Sequence, residues 1–237
     1  MLKTLYEAIR HDAKPEIIVV NNRPYATGEL TPVHEPTVET LYLRTLRGLV
    51  DYINTNVDAL NNNYLLCHVE SHNTVRLYSS IDPDFSQRSC YVAVKLDTAQ
   101  ATLNQFMDAE AFNIMLQSCF VEYEDDAENN RKEVLQYSSS VREVAEGQTL
   151  DDGITQAVTV KQGLASMKKT TIPNPVTLRP YRTFAEVEQP ASSFIFRAKS
   201  GPSFMLVEAD GGAWRGEAMQ NIKNFLQDAL PELKIIA

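Results

Sequence analysis

The sequence predicts an α+β protein, with antiparallel sheets covered by amphipathic helices and a C-terminal β-hairpin followed by a helix. Three observations carry that expectation. From Val38 to Val57 apolar residues recur at helical spacing, and three runs with strand character follow. Phe194-Ile195-Phe196 and Phe204-Met205-Leu206-Val207 flank Lys199-Ser200-Gly201-Pro202, the pattern of two strands joined by a short turn. Trp214, Ala218, Ile222, Phe225, Leu226 and Ala229 then form one helical stripe, which Pro231 ends.

Taken in order, Leu2, Leu5, Tyr6 and Ile9 make a short amphipathic helix, and Glu16–Val20 a strand. Arg23-Pro24-Tyr25 to Gly28 reads as a turn and a second short strand, with Pro32 and Pro36 stiffening the connector. A helix is expected from Thr37 to Asn56, carrying Val38, Leu41, Tyr42, Leu46, Leu49 and Ile53 on one face. Tyr64–Glu70 and Thr74–Ser79 read as a hairpin around Ser71-His72-Asn73, with a third strand over Ser89–Leu96. A helix over roughly Ala99–Ser118 and another over Asn130–Val144 follow. Thr149–Gly153 is a turn before a strand at Ile154–Val160, and Gln162-Gly163 and Lys168-Lys169 make a flexible connector. Tyr181, Thr183, Ala185 and Val187 alternate with Arg182, Phe184, Glu186 and Glu188, a period-two pattern between two proline-marked edges. Consecutive apolar residues in the C-terminal hairpin predict strands covered on both faces, with the last helix lying back across them. The division expected is an N-terminal portion to residue 145 and a C-terminal portion from 146, or one continuous domain.

With 22 basic and 31 acidic side chains the net charge is −9. Such a chain repels phosphate at long range, which counts against nucleic acid without excluding a local basic patch. Charges interrupt Met1–Arg10, so no signal peptide is expected, and no apolar run reaches membrane-spanning length. Three scattered cysteines suit a reducing cytoplasm.

No phosphate-binding loop, nucleophile elbow or dinucleotide fingerprint occurs, so neither catalytic residues nor a cofactor are expected. His68, Glu70 and His72 alternate on a strand and are the weak candidates for a metal, although His72 falls in the turn, where alternation breaks down. The acidic run Glu122–Asp126 lacks the glycine a calcium loop needs and reads as a solvated loop. Arg179, Arg182, Arg197 and Arg215 are the one concentration of basic residues, and Tyr181, Phe184 and Trp214 lie among them. Such residues stack on single-stranded nucleic acid. Glu186, Glu188, Glu208 and Asp210 sit in the same stretch, able to pair with the arginines, and that mixture fits a charge-balanced subunit interface better.

LRPYRTFAEVEQPASSFIFR, with the later EADGGAW and the earlier LDDGITQ, resembles a family of phage and prophage proteins typified by YfdQ. The resemblance begins near the Thr37–Asn56 segment and is strongest in the C-terminal third. It implies a phage origin and a bacterial host cytoplasm, and it supplies no catalytic residues. The expectation is a non-enzymatic protein that self-associates as a homo-oligomer, with a host or phage protein as a further partner. An accessory factor for phage DNA replication or recombination is the alternative, and a metal-dependent hydrolase the third.

Overall fold

The computed structural model describes residues 15–21, 23–26, 28, 38–83, 86–97, 100–123, 126–140, 149–151, 156–162, 166–172, 174–199 and 203–237. The chain divides into two units, Met1–Thr37 and Val38–Ala237. In the first, β1 (Ile17–Val20) pairs antiparallel with β2 (Arg23–Ala26), Val20 facing Arg23. Asn21 sits at φ 53°, the left-handed region that a two-residue hairpin connection requires. The expected helix over Leu2–Ile9 and the Pro32–Pro36 connector lie outside the described residues.

The second unit holds two sheets with separate cores. A five-stranded sheet runs in the order β14 (Lys234–Ile236), β4 (Leu65–Ser71), β5 (Thr74–Ser79), β6 (Cys90–Lys95), β3 (Leu41–Leu43). Its central three strands are antiparallel, while β14 and β3 join parallel to β4 and β6. Period-two alternation puts Leu65, Cys67, Val69, Val75, Leu77, Val92 and Val94 on one face. Leu46, Leu49 and Ile53 of α1 (Leu46–Thr55) and Ile222 and Leu226 of α4 (Trp214–Ala229) cover that face.

A four-stranded sheet runs β11 (Val176–Leu178), β12 (Ser192–Lys199), β13 (Ser203–Glu208), β7 (Met107–Asp108). Phe194, Phe196, Phe204 and Leu206 pack there against α2 (Ala109–Cys119) and α3 (Arg131–Ser140). The ring centroids of Phe112 and Phe204 are 5.3 Å apart, and those of Tyr137 and Phe196 5.6 Å, in the tilted and edge-on geometries that aromatic quadrupoles favour. A third sheet is formed by β8 (Thr149–Asp151), β9 (Gln156–Gln162) and β10 (Ser166–Ile172), with β9 central. The α+β class is therefore as expected. Each of the two large sheets draws strands from both sides of residue 145, since β7 pairs with β13 and β14 with β4.

Several boundaries differ from the expectation. The segment before α1 is strand at Leu41–Leu43, paired with Val92–Val94, because the Thr45 hydroxyl accepts from the Gly48 N–H (3.1 Å) and starts the helix there. Asp108 caps α2 in the same way, accepting from the Ala111 N–H (2.8 Å), so the helix begins ten residues later than its apolar pattern suggested. Lys168 and Lys169 lie in β10, paired with Val160 and Thr159, and are not in a flexible connector. The 181–188 segment is no strand: Phe184 turns into the first core and the Val187 N–H closes a turn on the Phe184 carbonyl (3.2 Å). The hairpin strands β12 and β13 are buried on one face and half-covered on the other. Their buried face is already filled by α2 and α3, so α4 crosses to the other sheet and packs on β4.

Candidate functional site

Residues 179–191 form an irregular strap, held by side chains where a sheet would use backbone. Gln189 is buried and anchors it: its Oε1 accepts from the N–H groups of Arg182 (3.0 Å) and Thr183 (3.2 Å). Its Nε2 donates to the carbonyls of Phe184 (3.0 Å) and Val187 (3.2 Å), and its own N–H donates to the Tyr123 hydroxyl (3.1 Å). One amide thus satisfies backbone groups that no ladder serves. Arg179 donates to Asp126 (2.6 Å), Glu188 (3.2 Å) and the Gln189 carbonyl (2.9 Å). The strap also reaches both neighbours: the Arg47 N–H at the start of α1 donates to Glu186 (3.3 Å), and the Thr183 hydroxyl to the His72 carbonyl (2.6 Å).

That anchoring forms one wall of a cleft of about 500 Å³. The β4–β5 turn supplies His72 and Asn73, the segment after β6 supplies Leu96, Asp97, Gln100, Ala101 and Leu103, and the strap supplies Pro180 and Arg182. Glu208 ends β13, and Trp214 and Arg215 begin α4. The guanidinium of Arg182 lies 3.9 Å from the Trp214 ring centroid and bonds to Glu208 and Ser192. Its side chain is only 11% exposed. Burial pulls the Arg182 pKa below the ordinary guanidinium value, against the pull of Glu208 and Asp210. The His72 ring meets the indole edge-on at 4.7 Å. Burial lowers its pKa, helped by the charges of Arg215 and Arg182, so the imidazole is neutral at pH 7. Arg215 leans on the same indole at 5.0 Å, with no carboxylate pairing it among the described residues.

Two buried N–H groups here, Arg182 Nε and Trp214 Nε1, have no acceptor among the described residues. An unmet buried donor costs about 1–3 kcal/mol. Both belong to residues that line this one cleft.

The structure thus brings together Arg182, Trp214, Arg215 and, from a distant turn, His72. It separates the other candidates. Phe184 is fully buried in the first core and is no surface contact, because its ring fills the space between the strap and the five-stranded sheet. Arg179 is held by Asp126 and Glu188, so the mixed charges pair within the chain. Tyr181 is part-exposed beside the bridge from Phe120 to Pro180, and Arg197 sits half-buried in β12 opposite Met205. The proposed metal triad is dispersed. A bulge between Val69 and Ser71 interrupts the alternation, Glu70 pairs with Arg76 (2.7 Å), and His72 faces the indole. No group of three metal-ligating side chains occurs among the described residues. Cys67 lies on the buried face opposite His68, where burial pushes its thiol up to about 12, far from thiolate at neutral pH. Gln189, Asp126 and the His72 contact were not legible, since no local pattern marks an amide that closes a strap or a turn that lands on a helix start.

No protein-family model, curated protein or solved structure matches this chain. No described helix is long and apolar enough to cross a membrane.

Proposed function

We propose that this is a non-enzymatic, self-associating protein whose copies join edge to edge through β1. The observation that carries the reading is the exposure of a whole apolar strand: Ile17 is 64% and Val19 67% exposed, with Ile18, Val20 and Tyr25 also open. A lone two-stranded hairpin is marginal in water, and an uncharged β-branched edge is a template for another strand. In a two-residue hairpin the closing pair, here Val20 and Arg23, is hydrogen-bonded, so the backbone groups of Val19 and Pro24 point outward. On β2 that outward position is a proline, which has no N–H and blocks the edge. On β1 it is Val19, and Ile17 two residues earlier, neither paired beyond β2 among the described residues. An antiparallel match of β1 with its own copy, centred on Ile18, sets Ile17 opposite Val19 of the second copy and places no like charges together.

The resemblance to phage and prophage proteins supports a phage or prophage origin and action in the bacterial cytoplasm, by building an assembly or by occupying a host or phage protein. The alternative of single-strand binding is weakened by Arg179 and Arg182, whose guanidinium groups are occupied by carboxylates. Light scattering of the purified protein, with absorbance at two wavelengths on the same peak, tests both readings. The expected result is a nucleic-acid-free species at a multiple of 26.6 kDa for the wild type and a monomer for Val19→Pro. A monomeric wild type at micromolar concentration sinks self-association, and an unchanged oligomer in V19P sinks the β1 edge. A peak rich in nucleic acid favours the alternative.

A further inference from the structure

We propose that the cleft between the β4–β5 turn and the start of α4 binds a small molecule bearing an oxyanion, a carboxylate or a phosphate ester, with Arg215 as its counter-charge and Trp214 as the wall it lies against. Charge comes first. Arg182 is neutralised by Glu208, and Asp97 pairs with Arg44 at the rim. The Asp210 carboxylate accepts from the Gly212 N–H (2.9 Å), and its charge acts on Arg182. Among the described residues Arg215 is left with an indole and no carboxylate.

Its position uses the space beside a glycine. A Cβ on Gly212 would lie 2.2 Å from Arg215 Nη1, so the guanidinium occupies room that the glycine leaves open. It rests there against the indole, 5.0 Å from the ring centroid. Hydrogen bonding points the same way. The unmet groups on the lining residues, Arg182 Nε and Trp214 Nε1, are both donors. A cationic ligand would find neither of them useful, whereas an oxyanion supplies acceptors in quantity. Both donors are closed to solvent, so an oxyanion reaches them only by shifting the Arg182–Trp214 stack. At about 500 Å³ the cleft is of the size that holds metabolite-sized molecules.

Trp214 is the only tryptophan in the chain, so its emission reports on this cleft alone. Titrating the full-length protein with inorganic phosphate and, separately, with benzoate should give a saturable emission change with at least one of them. Which probe saturates distinguishes a phosphate from a carboxylate ligand. Arg215→Gln, at an exposed position, should keep the wild-type melting temperature and weaken binding about tenfold or more, as expected for loss of a charge-assisted contact. Flat emission with both probes overturns the proposal, and so does equal affinity in R215Q. An emission change with single-stranded oligonucleotide but neither small probe also overturns it, and moves the cleft to nucleic acid.

Discussion

His72 shows how one residue changes its meaning between sequence and structure. As a third member of His68, Glu70 and His72 it suggested a metal; as a turn residue it meets the indole of Trp214, with Arg182 and Arg215 nearby. Its folded-state pKa is lowered below the ordinary value of about 6.5, chiefly by burial. The unfolded chain therefore takes up this proton first as pH falls. Stability from this group is whole above pH 7 and declines as the medium is acidified through 6.5, the reverse of a histidine that gains a carboxylate partner. Glu208 and Asp97 line the same cleft, paired with Arg182 and Arg44. Denaturant unfolding between pH 7.5 and about 5.5, above the carboxylate range, should show wild-type stability falling and a flatter profile in His72→Gln. Equal slopes would mean that the imidazole is solvated as in the unfolded chain.

At the scale of elements, the turn Asp210-Gly211-Gly212 joins β13 to α4. Gly211 (φ 63°) and Gly212 (φ 82°) both adopt backbone that other residues enter at a cost of about 1–2 kcal/mol. Their surroundings differ. A methyl group on Gly211 meets nothing within 4 Å, whereas one on Gly212 collides with Arg215. Gly211→Ala should lose only the backbone term in stability and keep native Trp214 emission. Gly212→Ala should lose at least as much and also displace Arg215, seen as a shifted emission maximum. Indistinguishable emission in the two variants would show that the guanidinium rests elsewhere. The strap makes a related point: Gln189 gives residues 181–188 a fixed shape without strand pairing, although their alternation reads as strand.

For the molecule as a whole, the last strand closes the five-stranded sheet. β14 pairs with β4 in parallel, Ile235 facing Cys67, and Ile235 is buried in the first core. Removing Lys234–Ala237 exposes that β4 edge and deletes a buried isoleucine, a loss of about 2 kcal/mol from burial alone. A melting temperature lower by about 4–8 °C is the expected outcome. A melting curve identical to that of the full chain would mean that β14 adds nothing to the fold.

Periodicity determined a good part of this protein. The three central strands of the first sheet and the stripe of α4 were legible because burial against a core leaves a period of two or 3.6 in the residues, and the C-terminal hairpin because two apolar runs flank a turn. The arginine-rich stretch was legible as charge-balanced, and Glu188 and Glu208 of the same stretch do pair with Arg179 and Arg182. Tertiary structure alone decided the rest. Which sheet α4 covers depended on α2 and α3 already filling the hairpin's buried face. The starts of α1 and α2 depended on capping side chains, Thr45 and Asp108, that outweighed the apolar pattern preceding them. The cleft joins His72 to Trp214 across 142 positions of sequence, a distance at which no periodicity acts. Local pattern records what a segment buries; only the packed chain determines against what.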